Sequence, residues 1–251
     1  MSWNVLAALA VVAAGGLCVG SFLNTCMYRV PRGLSVLGPR SKCPHCGETL
    51  TAGQLIPLWS YILQKGRCVH CREQIQWSYP LVELAAALLA LASFRLEGFS
   101  VAFFRTFGLA GVFLAIGVVD YRRRIIPDGF VAAGLIIAFL GAPWSGRVSA
   151  GEAGLGFLAG GLGFLAVQAI YRRLRGREGM GGGDVKLSAL MGSALGLWGW
   201  LQAVVLGSLA GVIAGVILIL AGRAGMQTPI SYGAFLSGAA IAVLLASGYL
   251  L

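Results

Sequence analysis

Apolar stretches long enough to cross a bilayer recur along this chain, and they decide what it can fold into. Runs of roughly 15 to 22 residues, against about 20 for a crossing helix, lie at about 3–27, 79–94, 99–119, 129–143, 154–171, 186–198, 200–221 and 230–251. Backbone in lipid must satisfy its own hydrogen bonds, so these runs are read as helices. The expected fold is an all-α polytopic membrane protein of about eight transmembrane helices with a small cytoplasmic zinc-binding loop domain. Composition agrees, since 58% hydrophobic and 11% charged residues exclude both a soluble and a disordered chain. The first run lacks the basic flank and cleavage site of a secretory signal and is read as a retained span. Residues 186–221 are ambiguous: Trp198 and Trp200 around Gly199 suggest a tight turn at the far interface, whereas a single crossing would leave seven spans.

Charge sets the orientation. With both termini outside, sixteen of the nineteen basic residues fall on one side, the pattern of cytoplasmic loops. Arg95, Arg105 and Arg147 are left over. The net charge of +10 is thus explained by topology and anionic membrane lipid, with no need for nucleic acid.

The sizeable polar segment, 29–78, carries CPHC at 43–46 and CVHC at 68–71. Two such knuckles point four thiolates, Cys43, Cys46, Cys68 and Cys71, at one ion, the ligand set of a closed structural Zn2+ site. Disulfides are the competing reading, disfavoured in a reducing cytoplasm. His45 and His70 lie inside the knuckles as bystanders, and Cys18 and Cys26 in the first span are read as buried small apolar residues. The domain division expected is a first helix at 1–28, a zinc-binding domain at 29–78 and a membrane core at 79–251.

Carboxylates at bilayer depth are costly, so they mark sites. Asp120 ends GLAGVFLAIGVVD just before Arg122–Arg124, and Asp184 follows Gly181–Gly183 at the start of a short helix. Asp128, after Pro127, opens another helix. A helix cap would account for Asp184 and the helix dipole for Asp128. Taken together on one membrane face, however, Asp120 and Asp184 suit hydrolysis by an activated water, with one carboxylate as base and the other as acid. A glycine-rich approach through Gly181 and Gly183 lets backbone come close to an extended substrate. Both histidines sit in the knuckles and no HExxH helix occurs, so neither a serine triad nor a zinc protease competes.

These residues resemble a known family. The order GSFLNTCMYRVPRG at 20–33, CPHC, IPLWSYILQKGRC at 56–68, CVHC, YPLVE, Asp120 with Pro127–Asp128, GMGGGDVKL and a late SYGAFL is similar to the type IV prepilin peptidases, GxGD intramembrane aspartyl proteases. The resemblance implies an enzyme of the bacterial inner membrane with its active site at the cytoplasmic face. It would cleave the leader of type IV prepilins or type II secretion pseudopilins after a glycine, with Asp120 and Asp184 as catalytic pair. It would then methylate the new N-terminus using S-adenosyl-L-methionine, the zinc loop matching forms that carry this second activity. Arg122 stands where many members of the family carry another acid.

Other assignments stay open. Glu83 is a first-turn helix carboxylate, a partner for a loop arginine, or an orienting group for methyl transfer. Asn24 and Arg29 suit either a polar helix end or a leader or cofactor contact. Lys186 tunes Asp184 or snorkels to headgroups. The spacings Gly156–Gly160 and Gly207–Gly211–Gly215 favour helix packing over a substrate groove. A presenilin-like protease shares the GxGD chemistry but not a need for the zinc loop. A zinc-stapled scaffold or transporter would use the acids as caps or as an ion path, and asparagine would serve there.

Overall fold

A computed structural model describes residues 3–176, 181–223, 225, 228 and 230–246. Gly179 and Met180 of the GMGGGDVKL motif, Arg177 and residues 247–251 lie outside the described residues. The chain divides into two compact units, Met1–Gly98 and Phe99–Leu251.

In the first unit, α1 (Trp3–Arg29) packs on α3 (Ser78–Glu97) along a small-residue seam. A Cβ on Gly16 would lie 2.7 Å from the Ala87 Cα, and one on Gly20 2.6 Å from the Glu83 Cα. Backbones approach this closely only where glycine removes the side chain. One face of α1 meets α3, and Cys18 lies on the other; it is exposed, contrary to expectation, whereas Cys26 is buried. Between the helices the chain forms two cysteine knuckles, a short 3₁₀ turn at Ala52–Leu55 and the five-residue α2 (Trp59–Leu63).

The second unit holds α4 (Val101–Arg123), α5 (Asp128–Gly141), α6 (Ala150–Arg175), α7 (Gly182–Leu220) and α8 (Tyr232–Ala246). Among the described residues five helices, α1, α3, α4, α6 and α7, are long and apolar enough to cross a membrane, while α5 and α8 are shorter apolar helices. The 39-residue α7 is interrupted at Gly196 (φ 70°, ψ −179°). Trp200 Nε1 nevertheless donates to Ser188 Oγ at 2.8 Å, although twelve residues of straight helix span about 18 Å. The chain therefore folds back into a hairpin of two arms, giving eight apolar helical segments. The turn sits at Gly196 rather than at Gly199, because the reversal needs a left-handed residue and Gly199 stays helical.

Small residues set the helix contacts of this unit too. Gly156 and Gly192 meet backbone to backbone, as do Gly160 and Ser188, locking α6 to the first arm of α7. Gly207 abuts Leu236 and Phe235 of α8, Gly211 abuts Phe235, and Gly215 abuts Ile230 just ahead of it. All five glycines of those two spacings are thus packing positions. Two of the leftover basic residues have internal partners. Buried Arg105 donates to the Ala194 carbonyl at 2.9 Å beside the Gly196 break, and Arg147 donates to the Leu244 carbonyl at 3.3 Å near the end of α8. Carbonyls freed at helix ends and breaks need donors in apolar surroundings.

Candidate functional site

Asp120 lies in the last turn of α4, only 5% exposed. Its Oδ2 accepts the Ala234 N–H at 3.0 Å, and the Gly233 N–H bonds the same carboxylate. Asp120 thereby satisfies first-turn donors of α8, a duty usually met by a local cap. Asp184 is held by its own helix. The N-cap is Gly181, so Asp184 stands at the third helical position rather than at the cap. The Gly181 N–H donates to its carboxylate, and the Asp184 N–H donates back to the Gly181 carbonyl at 3.1 Å.

The two carboxylates lie within electrostatic reach of each other. Ile126, in the α4–α5 connection, packs against the starts of α7 and α8. A Cβ on Gly183 would stand 3.2 Å from the Ile126 Cβ; one on Gly233 would stand 3.0 Å from both the Ile126 Cδ1 and Asp120 Oδ2. Neither Ile126 nor Gly233 was marked as a site residue in sequence. The SYGAFL motif was the available signal for Gly233, but a glycine in a first turn reads as packing, and nothing marked Ile126.

Depth follows from register. Gly156 opposes Gly192 and Gly160 opposes Ser188, so Asp184 falls opposite Phe164. Arg172, the first basic residue of α6, lies eight residues or about 12 Å farther on. Asp184, in the first turn of its own helix, thus lies level with the apolar body of α6. Asp128 does not join it, since it pairs with Lys186 at 2.6 Å, with side chains 75% and 53% exposed. Lys186 accordingly neither tunes Asp184 directly nor snorkels freely, and a pair this exposed contributes about 1 kcal/mol at most.

In the first unit the Sγ atoms of Cys43, Cys46, Cys68 and Cys71 all lie within 4.8 Å of one another, Cys43 and Cys71 at 3.9 Å. Tetrahedral bonds of 2.3 Å place thiolates about 3.8 Å apart, so the cluster could hold a metal ion. His45 and His70 are not part of it. The knuckles repeat each other. Cys43 N–H donates to Glu48 O and Cys68 N–H to Glu73 O, both at 2.9 Å, and Arg72 takes the positive φ that Gly47 takes in the first copy. The Cys71 and His70 amides draw Cys68 down to about 6. At Cys71 the Glu73 amide pulls downward, but burial and the three neighbouring thiols win and push it up to about 12. Four thiols sharing one point cannot all ionise unless a cation neutralises them.

Glu83 is not a first-turn residue, and among the described residues it has no arginine partner. It is 8% exposed and accepts from the Leu58 N–H at 2.8 Å and from Ser21. Leu58 itself has φ 58°, a left-handed conformation costing a branched residue roughly 1–3 kcal/mol. Asn24 donates to the Tyr79 carbonyl at 3.0 Å, and Arg29 to the carbonyls of Ser35 at 3.1 Å and Pro39. Both therefore tie local structure together.

Comparison with known proteins matches each unit separately. Residues 15–96 match the Bacterial Peptidase A24 N-terminal domain, and residues 107–216 match the Type IV leader peptidase family. A protein named prepilin leader peptidase/N-methyltransferase from Burkholderia pseudomallei is 34% identical, covering 94% of this chain and 84% of its own. Proteins of the same name from Bacillus subtilis (33%, covering 94% of each chain) and Pseudomonas aeruginosa (34%, covering 92% and 87%) are also similar. No solved structure matches the chain.

Proposed function

This chain belongs to the type IV leader peptidase family, and from that premise we propose that Asp120 and Asp184 are the catalytic pair of a prepilin leader peptidase that is also an N-methyltransferase. The observation that carries the proposal is the convergence of two carboxylates, one from the end of α4 and one from the start of α7, within electrostatic reach of each other. Each is held by backbone amides, so its remaining lone pairs are oriented without a flexible partner. Two acids in mutual reach at low dielectric favour sharing one proton. The ionised member takes a proton from water, and the water oxygen attacks the scissile carbonyl. The protonated member polarises that carbonyl and then supplies the leaving amine.

The substrates are type IV prepilins or type II secretion pseudopilins, cut after the glycine that ends the leader. Such a substrate is itself an apolar helix with a basic head, which suits a multi-pass enzyme whose flanking loops set the pair toward the cytoplasmic side of the bacterial inner membrane. Zn2+ is the ion assigned to Cys43, Cys46, Cys68 and Cys71, in a structural part, because four thiolates leave no open position for water. S-adenosyl-L-methionine is the proposed methyl donor. Gly181 and Gly183 serve the pair, Gly181 through its amide and Gly183 by admitting Ile126.

The test is leader removal from a co-expressed prepilin. Asp120→Asn and Asp184→Asn should each lower processing by at least about 10³-fold while the protein still accumulates in the membrane. Near-normal processing by either variant removes that residue from the mechanism.

A further inference from the structure

The two acids are held by backbone amides, so whatever orients that backbone takes part in catalysis. Asp120 depends on the first turn of α8, where the Ala234 N–H donates to its Oδ2 at 3.0 Å and the Gly233 N–H bonds the same carboxylate. Tyr232 opens that turn. Its hydroxyl shares a hydrogen bond at 2.8 Å with Ser208 Oγ, on the second arm of α7. We propose that Tyr232, fastened to Ser208, is a positioning residue for Asp120, an inference that rests on the catalytic reading of that acid.

Two opposite faces of α8 are in use. Asp120 meets Gly233, and a Cβ on Gly117, one turn back along α4, would lie 3.2 Å from the Ser237 Cβ and 3.9 Å from the Ala234 Cα. Toward the second arm of α7 the same helix turns Phe235 and Leu236, against Gly207 and Gly211, together with Tyr232. At about 100° per residue, positions 233, 234 and 237 fall on one side of α8 and positions 232, 235 and 236 on the other. The seat of α8 on α7 therefore decides where its amides point on α4.

Much of that seat carries no direction. Gly207, Gly211 and Gly215 offer bare backbone to Leu236, Phe235 and Ile230, and close packing of this kind limits distance without fixing rotation. A hydrogen bond is directional. Turning α8 by about 15° on its axis would move a backbone atom at about 2.3 Å radius by about 0.6 Å, enough to stretch the 3.0 Å bond to Asp120 past its useful limit. The half-buried bond between Tyr232 and Ser208 opposes that rotation. It also joins the two acids. The first arm of α7 carries Asp184, and the second reaches Asp120 through Ser208, Tyr232 and α8. One hairpin, broken at Gly196, thus sets both members of the pair. The tyrosine of SYGAFL gains a use, with its hydroxyl engaged by Ser208 rather than by either acid.

The experiment measures steady-state cleavage of a purified type IV prepilin by the full-length, zinc-loaded enzyme in detergent, with Asp120→Asn as control. Tyr232→Phe and Ser208→Ala, which delete the two ends of one bond, should each lower kcat by about tenfold and leave KM within about twofold of wild type. The double variant should fall within about twofold of either single variant, since the second change has no bond left to break. Ser208→Thr, which keeps the hydroxyl, should stay within about threefold of wild type. Melting temperature in detergent separates these effects from loss of fold, and if Tyr232→Phe does not accumulate, Ser208→Ala, which removes only an oxygen, reads the bond alone. Unchanged kcat in both single variants overturns the proposal, as do losses that multiply in the double variant. A loss of about 10³-fold or more with Tyr232→Phe beside a fully active Ser208→Ala would place the phenol among the reacting groups and overturn a positioning role. If Asp120→Asn cleaves normally, the catalytic reading fails and this inference with it. If Asp120→Asn is inactive while both single variants are normal, this inference alone fails.

Discussion

At the scale of single residues, the acids and thiols were legible in sequence because each is costly in the company it keeps. A carboxylate in an apolar run and paired knuckle cysteines need a reason to be there. The residues that hold them were not legible. Gly233 and Ile126 look like packing until the backbone places one against Asp120 Oδ2 and the other against two helix starts. Gly233→Ala puts a methyl carbon 3.0 Å from that oxygen, closer than such contacts settle, so Asp120 must move. An expected shift of a few tenths of an ångström to 1 Å should lower kcat for leader cleavage by about 10- to 100-fold with KM little changed. Steady-state cleavage with a soluble prepilin fragment measures this; an unaltered kcat would mean that the notch does not position Asp120.

At the scale of elements, hydropathy located the helices, and the tryptophans marked the region of the α7 reversal. The break itself was out of reach because it depends on which of several glycines adopts positive φ, and that is settled by packing. Likewise Arg105 and Arg147 looked like exceptions to the charge rule, yet they are helix-carbonyl donors inside the fold. Sequence counts a charge without knowing whether it faces water. Glycines in α6 give a sharp contrast. Nothing lies within 4 Å of a Cβ on Gly154, whereas one on Gly156 would collide with the Gly192 carbonyl. Gly154→Ala should leave thermal stability in detergent unchanged or raise it by up to about 1 kcal/mol. Gly156→Ala should lower it by about 1–3 kcal/mol as α6 and α7 are forced apart. Equal melting temperatures would contradict the α6–α7 register, and with it the depth assigned to Asp184.

At the scale of the whole molecule, the thiol cluster and the two carboxylates lie in separate compact units, and their sensitivities should separate. The fold favours the Cys68 thiolate, so its charge persists down to about 6 and is lost by protonation below that. Metal binding requires the thiolates, so retention should hold at neutral pH and fall on acidification, as followed by a chromophoric chelator. Stripping the metal should leave leader cleavage standing, because four thiolates give the ion a structural place. Rapid, metal-reversible loss of cleavage would point instead to a metalloprotease. The division of labour was only half legible in sequence. The knuckles and the acids announced two sites, but the bond from the Leu58 amide to Glu83, which ties the loop to α3, is visible only in the fold.

The most direct measurement is intact mass of a purified prepilin after incubation with wild-type enzyme or Asp184→Asn and S-adenosyl-L-methionine. Wild type should remove the leader and add one methyl group to the new N-terminus, and Asp184→Asn should leave the prepilin at full length. Leader removal by the folded Asp184→Asn variant, or an untouched prepilin with active wild type, would contradict the account.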